Sequence, residues 1–264
     1  MIKLIVSDVD GTIVPVGSPD LPARVPGLLR ALNEKGILTV LASGRPYPNL
    51  LALFPGWEKS NPLIASNGSC ILCNDRIVCA VPVCHGTELR KILDIIKDLK
   101  CEWAADRPAD SVIETASDEM LRVLKGFGTT VSKVEDITAC SEPVLKLSVF
   151  CPEGAEYILA RPEFDEIKSR YHAVSTCDIF IDITAKSADK GTALKTIQER
   201  WKIRPEETIV LGDAMNDLGM MKSAARSFAV RNAPEPVLAA ATETMAPPEE
   251  YGIVDVLSSL CQTL

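Results

Sequence analysis

The stretch Asp8-Val9-Asp10-Gly11-Thr12 decides the interpretation of the fold, and only Ser7 separates it from the apolar run Ile2-Lys3-Leu4-Ile5-Val6. The run predicts a buried strand, and the glycine lets the chain turn sharply at its end. Side chains two positions apart on a strand lean to the same side, so Asp8 and Asp10 can reach one small volume. In an open α/β sheet, ligands bind at this edge. Two carboxylates there suit a hard cation, a nucleophile and a proton donor, although an Asp-Gly turn with a helix cap explains them equally well.

The composition is typical of a globular protein with room for two domains. The 264 residues are 47% hydrophobic and 24% charged, and 36 acidic against 28 basic residues give a net charge of -8. This charge argues against a general nucleic-acid or anionic-membrane surface. No secretion signal or apolar segment of the roughly 18–20 residues that cross a bilayer is visible, so we expect a cytoplasmic protein without a membrane partner.

The nine cysteines are expected to be free thiols, because their number is odd and the protein is expected in the cytoplasm. Cys70-x-x-Cys73, followed by two further cysteines, has a superficial likeness to a zinc site. Residues 69–73 and 76–81, however, predict the two strands of a hairpin around Asn74-Asp75. Cys70 and Cys73 then face opposite sides of a strand, which is incompatible with a tetrahedral site.

The predicted strands are of two kinds, which indicates two different sheets. Nearly continuous apolar runs alternate with helix-like stretches near both ends of the chain, as in a parallel sheet covered on both faces. These runs are residues 2–6, 37–41, 63–65, 208–211 and 228–230.

Residues 144–150 and 179–183 instead alternate apolar and polar side chains, which suits an antiparallel sheet with one face covered. A helix with apolar side chains from Leu89 to Leu99 could cover that face. The predicted fold class is therefore α/β, with a Rossmann-like parallel core formed by residues 1–81 and 187–264. An α+β insert, residues 82–186, interrupts this core.

Two further predicted strand ends carry groups that suit an anion. Ser43-Gly44-Arg45 precedes Pro46, and its hydroxyl and free backbone N–H groups could hold a phosphate, although a serine helix cap beside a surface arginine is an alternative. Lys190 opens a predicted helix, where a cation opposes the helix dipole. Either another group requires the lysine there, or it is simply exposed.

A second acidic cluster follows the predicted strand at 208–211. Asp213 comes just after the strand, and Asn216 and Asp217 begin the next helix, a place that also suits acidic residues without any function. The recurrence of such groups favours a functional site over unrelated caps and surface residues, because four predicted strand ends carry side chains of complementary chemistry.

The ordered set of motifs resembles the haloacid dehalogenase (HAD) superfamily of phosphohydrolases, and within it the Cof-type group with a large α/β cap. Asp8-Val9-Asp10-Gly11-Thr12 is similar to the first motif and Ser43-Gly44-Arg45 to the second. Lys190 is similar to the third, and Gly212-Asp213-x-x-Asn216-Asp217 to the fourth. The resemblance implies a Mg²⁺-dependent phosphatase.

The resemblance also implies roles for the acidic residues. Asp8 is expected to attack phosphorus and form an aspartyl-phosphate, while Asp10 protonates the leaving alcohol and then activates water. The expected Mg²⁺ ligands are Asp8, the backbone carbonyl of Asp10, and Asp213, with Asp217 close by. The cation is needed because an anionic carboxylate must approach an anionic ester.

The substrate-binding residues implied by the resemblance are Lys190, Ser43 and Gly44, which would hold the phosphoryl oxygens. Asn216 would position Lys190 or the phosphate, and Arg45 would contact the substrate or the cap.

The insert is then expected to act as a lid over a small phosphorylated metabolite, such as a sugar phosphate, in a monomer or weak homodimer. Two alternatives remain open: a phosphotransferase or phosphomutase of the same superfamily, and a phospho-aspartate signalling module.

Overall fold

The computed structural model describes residues 1–16, 18, 20–126 and 128–264. The backbone forms two compact units. The first consists of Met1–Gly44, Leu50–Val78 and Asp189–Leu264, and the second of Arg45–Asn49 and Cys79–Ala188. The first unit is therefore assembled from both ends of the chain, and residues 82–186 of the predicted insert lie within the second unit.

The strands divide between two sheets. In chain order they are β1 Leu4–Asp8, β2 Leu38–Ala42, β3 Leu63–Ala65, β4 Cys70–Cys73, β5 Arg76–Ala80, β6 Glu102–Asp106, β7 Ser111–Ile113, β8 Val131–Lys133, β9 Lys146–Phe150, β10 Tyr171–Cys177, β11 Phe180–Ala185, β12 Thr208–Gly212, β13 Arg226–Val230 and β14 Glu243–Met245.

The α-helices connect and cover these strands. They are α1 Val25–Glu34, α2 Tyr47–Leu53, α3 Gly86–Asp98, α4 Asp118–Gly126, α5 Ala155–Leu159, α6 Asp165–Arg170, α7 Lys190–Trp201, α8 Leu218–Met221, α9 Glu235–Ala240 and α10 Gly252–Thr263. Within the described residues, no helix combines the length and apolar character that a membrane span requires.

The sheet of the first unit has the order β14-β13-β12-β1-β2-β3-β4-β5. Strands β14 to β3 pair in parallel, and β4 joins antiparallel to β3. The central strand β1 is buried along its whole length, as its unbroken apolar run predicts. Because β1 lies between β2 and β12, segments far apart in sequence end at the same edge of the sheet.

The predicted hairpin is confirmed as β4 and β5. Asn74 and Asp75 connect these strands with φ of 53° and 56°, a left-handed conformation that Asn and Asp tolerate better than most residues. All nine cysteines are free thiols, as expected. Cys70 and Cys73 are buried, which fits packing residues.

The sheet of the second unit has the order β10-β11-β9-β6-β7-β8, antiparallel except for β7 and β8. The predicted stripe on α3 is buried against one face, where it meets alternate side chains of β9 and β11. The residues of that stripe are Leu89, Ile92, Leu93 and Ile96.

The expectation that only one face of this sheet is covered is wrong. The opposite face carries a second apolar cluster that includes Phe150 and Phe180 together with Met120 and Leu124 of α4. Alternation along a strand reports which side chains are polar, and polar side chains can still be buried when they satisfy one another.

Three charged side chains form such a group on this second face. Lys146 Nζ lies 2.9 Å from Asp182 Oδ2 and 3.3 Å from Asp106 Oδ2, and all three residues are buried. Ser148 donates to Asp182 over 2.9 Å, and Ser111 donates to Asp106 over 2.6 Å. Burial raises the pKa of Asp106, while Lys146 acts in the opposite direction. The sheet therefore contains a buried ion-pair network instead of a solvated face.

Replacing Lys146 with Met should destabilise the protein by about 3–5 kcal/mol, because it leaves two buried carboxylates without a cation. Urea unfolding measures the change. Lys97→Met, on the exposed side of α3 in the same unit, is the control and should change stability by less than about 0.5 kcal/mol. Equal effects of the two substitutions would contradict the importance of the network.

Candidate active site

Asp8 is the last residue of the central strand and is only 3% exposed. Its Oδ1 accepts a hydrogen bond from Lys190 Nζ. Its Oδ2 is buried and accepts no hydrogen bond from the described part of the chain. A buried carboxylate oxygen without a donor is costly unless something else is bound there, so Oδ2 is a candidate ligand or nucleophile.

Lys190 is the first residue of α7, and its side chain is 1% exposed. The helix begins here because Asp189 caps it, accepting from Thr192 N over 2.9 Å. The ammonium group lies between two carboxylates: it contacts Asp8, and it donates to Asp217 Oδ1 over 2.7 Å. Of the two alternatives that the sequence left for this lysine, simple exposure is therefore wrong, and acidic partners account for its place at a helix N-terminus.

Asp217 is fully buried and uses both of its oxygens within the protein. Oδ1 accepts from Lys190, and Oδ2 accepts from the backbone N–H groups of Asp213 and Ala214, over 2.9 and 3.0 Å. A side chain at position 212 would meet Asp217 Cβ at 2.7 Å, so only glycine fits at the end of β12. Asp217 thus fixes the loop after β12 and the ammonium group together.

Asp213 contacts the stretch of residues 8–12 at the end of β1. Thr12 Oγ1 donates to Asp213 Oδ1 over 2.8 Å. Gly11 has φ of +90°, and a Cβ on it would come within 2.7 Å of Asp213 Cγ. The residues that let the chain turn after β1 therefore also leave space for the second carboxylate.

These contacts bring three carboxylates together. Asp8, Asp213 and Asp217 each place an oxygen so that the three atoms lie within 4.8 Å of one another, a group that could hold a metal ion. Burial, followed by the repulsion of Asp217, raises the pKa of Asp213. Burial also raises the pKa of Asp8 well above its usual range, despite the opposing charge of Lys190. Three carboxylates against one ammonium group leave negative charge that a cation would neutralise.

Asp10 and Ser43 form the second part of the site. Ser43 follows β2, is fully buried, and donates from its Oγ to Asp10 Oδ2 over 3.2 Å. The Ser43 backbone is fixed by its N–H bond to Ile64 O over 2.9 Å. This part of the second predicted motif therefore lies beside the first.

Asn67 belongs to this site, although no role was predicted for it. Its backbone N–H donates to Ser43 O over 3.0 Å, and its side-chain Oδ1 accepts from Asn216 Nδ2 over 3.0 Å. A Cβ added to Gly44 would meet Asn67 Oδ1 at 3.0 Å. The sequence signal was Asn67-Gly68, a pair suited to the left-handed conformation that Asn67 adopts, with φ of 56°.

The structure thus brings Asp8, Asp10, Ser43, Lys190, Asp213 and Asp217 together, with Gly44 and Asn216 joined through Asn67. Asn216 is exposed and contacts Asn67. Arg45 belongs to the second unit.

Comparison with known proteins agrees with the resemblance of the motifs to the haloacid dehalogenase superfamily. A family model described as haloacid dehalogenase-like hydrolase matches residues 5–257. The chain is 23% identical over 260 residues to the 5-amino-6-(5-phospho-D-ribitylamino)uracil phosphatase of Escherichia coli, covering 98% of this chain and 96% of that protein. It is 26% identical over 261 residues to the phosphoglycolate phosphatase of Staphylothermus marinus, covering 98% of both. A crystal structure from Eubacterium rectale has a TM-score of 0.88 at 29% identity and covers 98% of this chain and 99% of that one.

The chain belongs to the haloacid dehalogenase-like hydrolases. Within them it is a Cof-type phosphohydrolase, an enzyme of the phosphoric monoester hydrolase class, as the ordered motifs predicted. The predicted α/β fold with a Rossmann-like core and an inserted cap is also confirmed.

Gly11→Ala should destabilise the protein by more than about 1 kcal/mol, because alanine is strained at this positive φ and its Cβ would displace the Asp213 carboxylate. Thermal unfolding measures the effect. Gly27→Ala is the matched control: it lies in α1 with open space around it, and should stabilise by up to about 1 kcal/mol. A Gly11→Ala protein as stable as the wild type would mean that the loop accommodates a side chain.

Proposed function

We propose that the protein is a Mg²⁺-dependent phosphatase that hydrolyses small phosphorylated metabolites through a phosphorylated Asp8. In this proposal residues 1–81 and 187–264 form the catalytic core, and residues 82–186 form a cap that selects the substrate. The observation that carries the proposal is the buried Asp8 carboxylate, with one oxygen bonded to Lys190 and the other free of any donor within the described residues.

The residues present fit a Mg²⁺ ion. The side-chain donors of the cluster Asp8, Asp213 and Asp217 are carboxylate oxygens, which hard divalent cations prefer. Asp8 Oδ2 accepts no hydrogen bond from the described residues, whereas both oxygens of Asp217 are already used. Asp8 and Asp213 are therefore proposed as side-chain ligands, together with the Asp10 carbonyl, and Asp217 as the residue that orients them. When bound, the ion would neutralise the repulsion between a carboxylate and a phosphate ester.

In the first proposed step, an oxygen of Asp8 attacks phosphorus while the bond between phosphorus and the alcohol oxygen breaks. Asp10 gives its proton to the departing oxygen. In the second step Asp10 takes a proton from water, the water oxygen attacks phosphorus, and the bond to Asp8 breaks. Before the substrate binds, the hydrogen bond from Ser43 Oγ fixes the Asp10 side chain, which is proposed to lie beside the reacting group.

Lys190 is proposed to act as a fixed positive charge. Its two acidic neighbours raise its pKa against the effect of burial, so it stays protonated at neutral pH. Its charge opposes the rise in the pKa of Asp8 that burial causes, and it can attract a phosphoryl oxygen at the same time. The Ser43 hydroxyl has one proton, which it donates to Asp10 in the structure, and it is proposed to turn to a phosphoryl oxygen when the substrate binds. The Gly44 N–H is proposed to bind another phosphoryl oxygen. Asn216 would act through Asn67, which it contacts, and Arg45 would contact the substrate or the cap.

The proposed substrate class rests on the size of the phosphorylated molecules named for the relatives. The two relatives described above are named for a phosphorylated ribitylaminouracil and for phosphoglycolate, both small molecules. Sugar phosphates are likewise small phosphate monoesters. An acidic chain with a net charge of -8 suits such substrates better than a polyanionic nucleic acid.

Asp8→Asn should reduce phosphate release by about 10⁴-fold or more, because an amide cannot replace the carboxylate nucleophile. Release is measured across a panel of phosphorylated metabolites. Asp75→Asn, an exposed aspartate in the β4–β5 turn, is the control and should keep the wild-type rate. Wild-type turnover in Asp8→Asn would rule out the nucleophile. Phosphate transfer to a sugar without release would instead favour a phosphotransferase, and lasting phosphorylation without turnover a signalling module.

Chelation should abolish activity, and added Mg²⁺ should restore it, because ester and carboxylates would otherwise repel one another in a partly desolvated site. Mg²⁺ should also raise the melting temperature of the wild type, since a ligand that binds only the folded state stabilises it. Asp213→Asn should weaken this thermal shift, whereas Asp75→Asn should leave it unchanged. Full activity in the chelated protein would refute the metal site.

A further inference from the structure

We propose that Cys101 and Cys151 form a dithiol that hydrogen peroxide converts into a reversible disulfide within the second unit. The phosphatase chemistry uses neither residue, so the inference is independent of the proposed function.

The strand register places the two cysteines opposite one another. β6 and β9 are antiparallel, and their last register pair is Glu102 with Phe150. Continued by one residue past the strand ends, this register sets Cys101 opposite Cys151. The Cys101 N–H donates to Ile96 O, and the Cys151 N–H donates to Ile179 O, so neither cysteine donates its N–H to the other. Opposed residues without mutual hydrogen bonds have Cα atoms about 4.5 Å apart, which lies within the range that a disulfide spans.

Cys101 and Cys151 belong to the same buried apolar cluster. In the structure each thiol donates to a backbone carbonyl nearby, Cys151 to Val149 O over 3.5 Å and Cys101 to Leu99 O over 3.6 Å. The neighbouring Cys151 side chain lowers the pKa of Cys101, even though burial acts in the other direction. The neighbouring Cys101 and burial both raise the pKa of Cys151. The directions of these two shifts favour Cys101 as the thiol that reacts first.

Exposure gives the two cysteines different parts in the reaction. Cys101 is 7% exposed, while Cys151 is fully buried. A small, uncharged oxidant such as hydrogen peroxide can approach Cys101, and the thiolate is the reactive form. The tightly packed apolar cluster that contains both residues excludes larger reagents.

The chemistry balances with hydrogen peroxide as the oxidant. The Cys101 thiolate attacks one peroxide oxygen, the O–O bond breaks, and a sulfenic acid and hydroxide form. The Cys151 sulfur then attacks the Cys101 sulfur, the S–O bond breaks, and water leaves with the Cys151 proton and the sulfenic oxygen. Two thiols and one peroxide give one disulfide and two water molecules. A thiol reductant reverses the reaction by exchange.

The intact chain, treated with increasing hydrogen peroxide, should lose two thiols of nine when thiols are counted after denaturation. Non-reducing peptide mapping should show one new linkage between the peptides that contain Cys101 and Cys151, and dithiothreitol should remove it. The melting temperature of the oxidised protein should rise, because the bridge restricts the unfolded chain.

Variants distinguish the roles of the two cysteines in the proposed reaction. In Cys151→Ala, a sulfenic-acid probe should label Cys101, since nothing resolves the intermediate; in Cys101→Ala, position 151 should stay unlabelled and no linkage should form. Cys177→Ser is the matched control, because Cys177 also influences Cys151 electrostatically but lies with the apolar cluster on the other face of the sheet. It should form the bridge like the wild type.

Two results would overturn the proposal. One is a linkage that joins Cys151 to Cys177 or that joins other cysteines. The other is peroxide oxidation of exposed thiols while Cys101 and Cys151 both remain reduced. Because peptide mapping of the wild type gives this answer by itself, the test does not depend on the stability of any variant.

Discussion

The buried ammonium group of Lys190 holds the residues of the candidate site together. Lys190 lies in the protein interior between Asp8 and Asp217, residues that come from opposite ends of the chain. Removing any of these charges would leave the others buried and uncompensated, which is far more costly than losing an exposed ion pair. The core of the first unit must therefore close with β1 beside β12 and with α7 starting at Lys190, and this arrangement assembles the site.

The two aspartates that contact Lys190 differ in how many of their oxygens accept hydrogen bonds from the protein. Asp217 spends both oxygens on the ammonium group and on two backbone N–H groups, and so it shapes the loop after β12. Asp8 keeps one buried oxygen without a donor in the described structure. Identical side chains thus differ in their hydrogen-bond partners, and this difference underlies the separate roles proposed for them. A residue with both acceptors used orients its neighbours, and one with an unused acceptor is available for chemistry.

The two units use buried charge in different ways. In the first unit, three carboxylates lie close together and one lysine contacts two of them, so a cation would relieve the remaining repulsion. In the second unit, Lys146 lies between Asp106 and Asp182, with serine hydroxyls bonded to both carboxylates. Each of these carboxylates therefore has partners of its own. The second group lies on strands β6, β9 and β11, on a covered sheet face, whereas the first lies at the carboxyl edge of a parallel sheet, where ligands bind.

The sequence alone determined the elements and the order of the motifs. Continuous apolar runs, alternation and turn residues act over a few positions, so the parallel core, the β4–β5 hairpin and the stripe on α3 could be predicted, as could the candidates Asp8, Asp10, Lys190 and Asp213. The tertiary structure decided the pairings. Three pairings depend on strand register and on contacts between distant segments. They are the bond between Asn67 and Asn216, the buried Lys146 network, and the proposed pairing of Cys101 with Cys151. Lys190 and Asp8 are 182 positions apart, and no local pattern encodes which oxygen of a carboxylate such a partner will use.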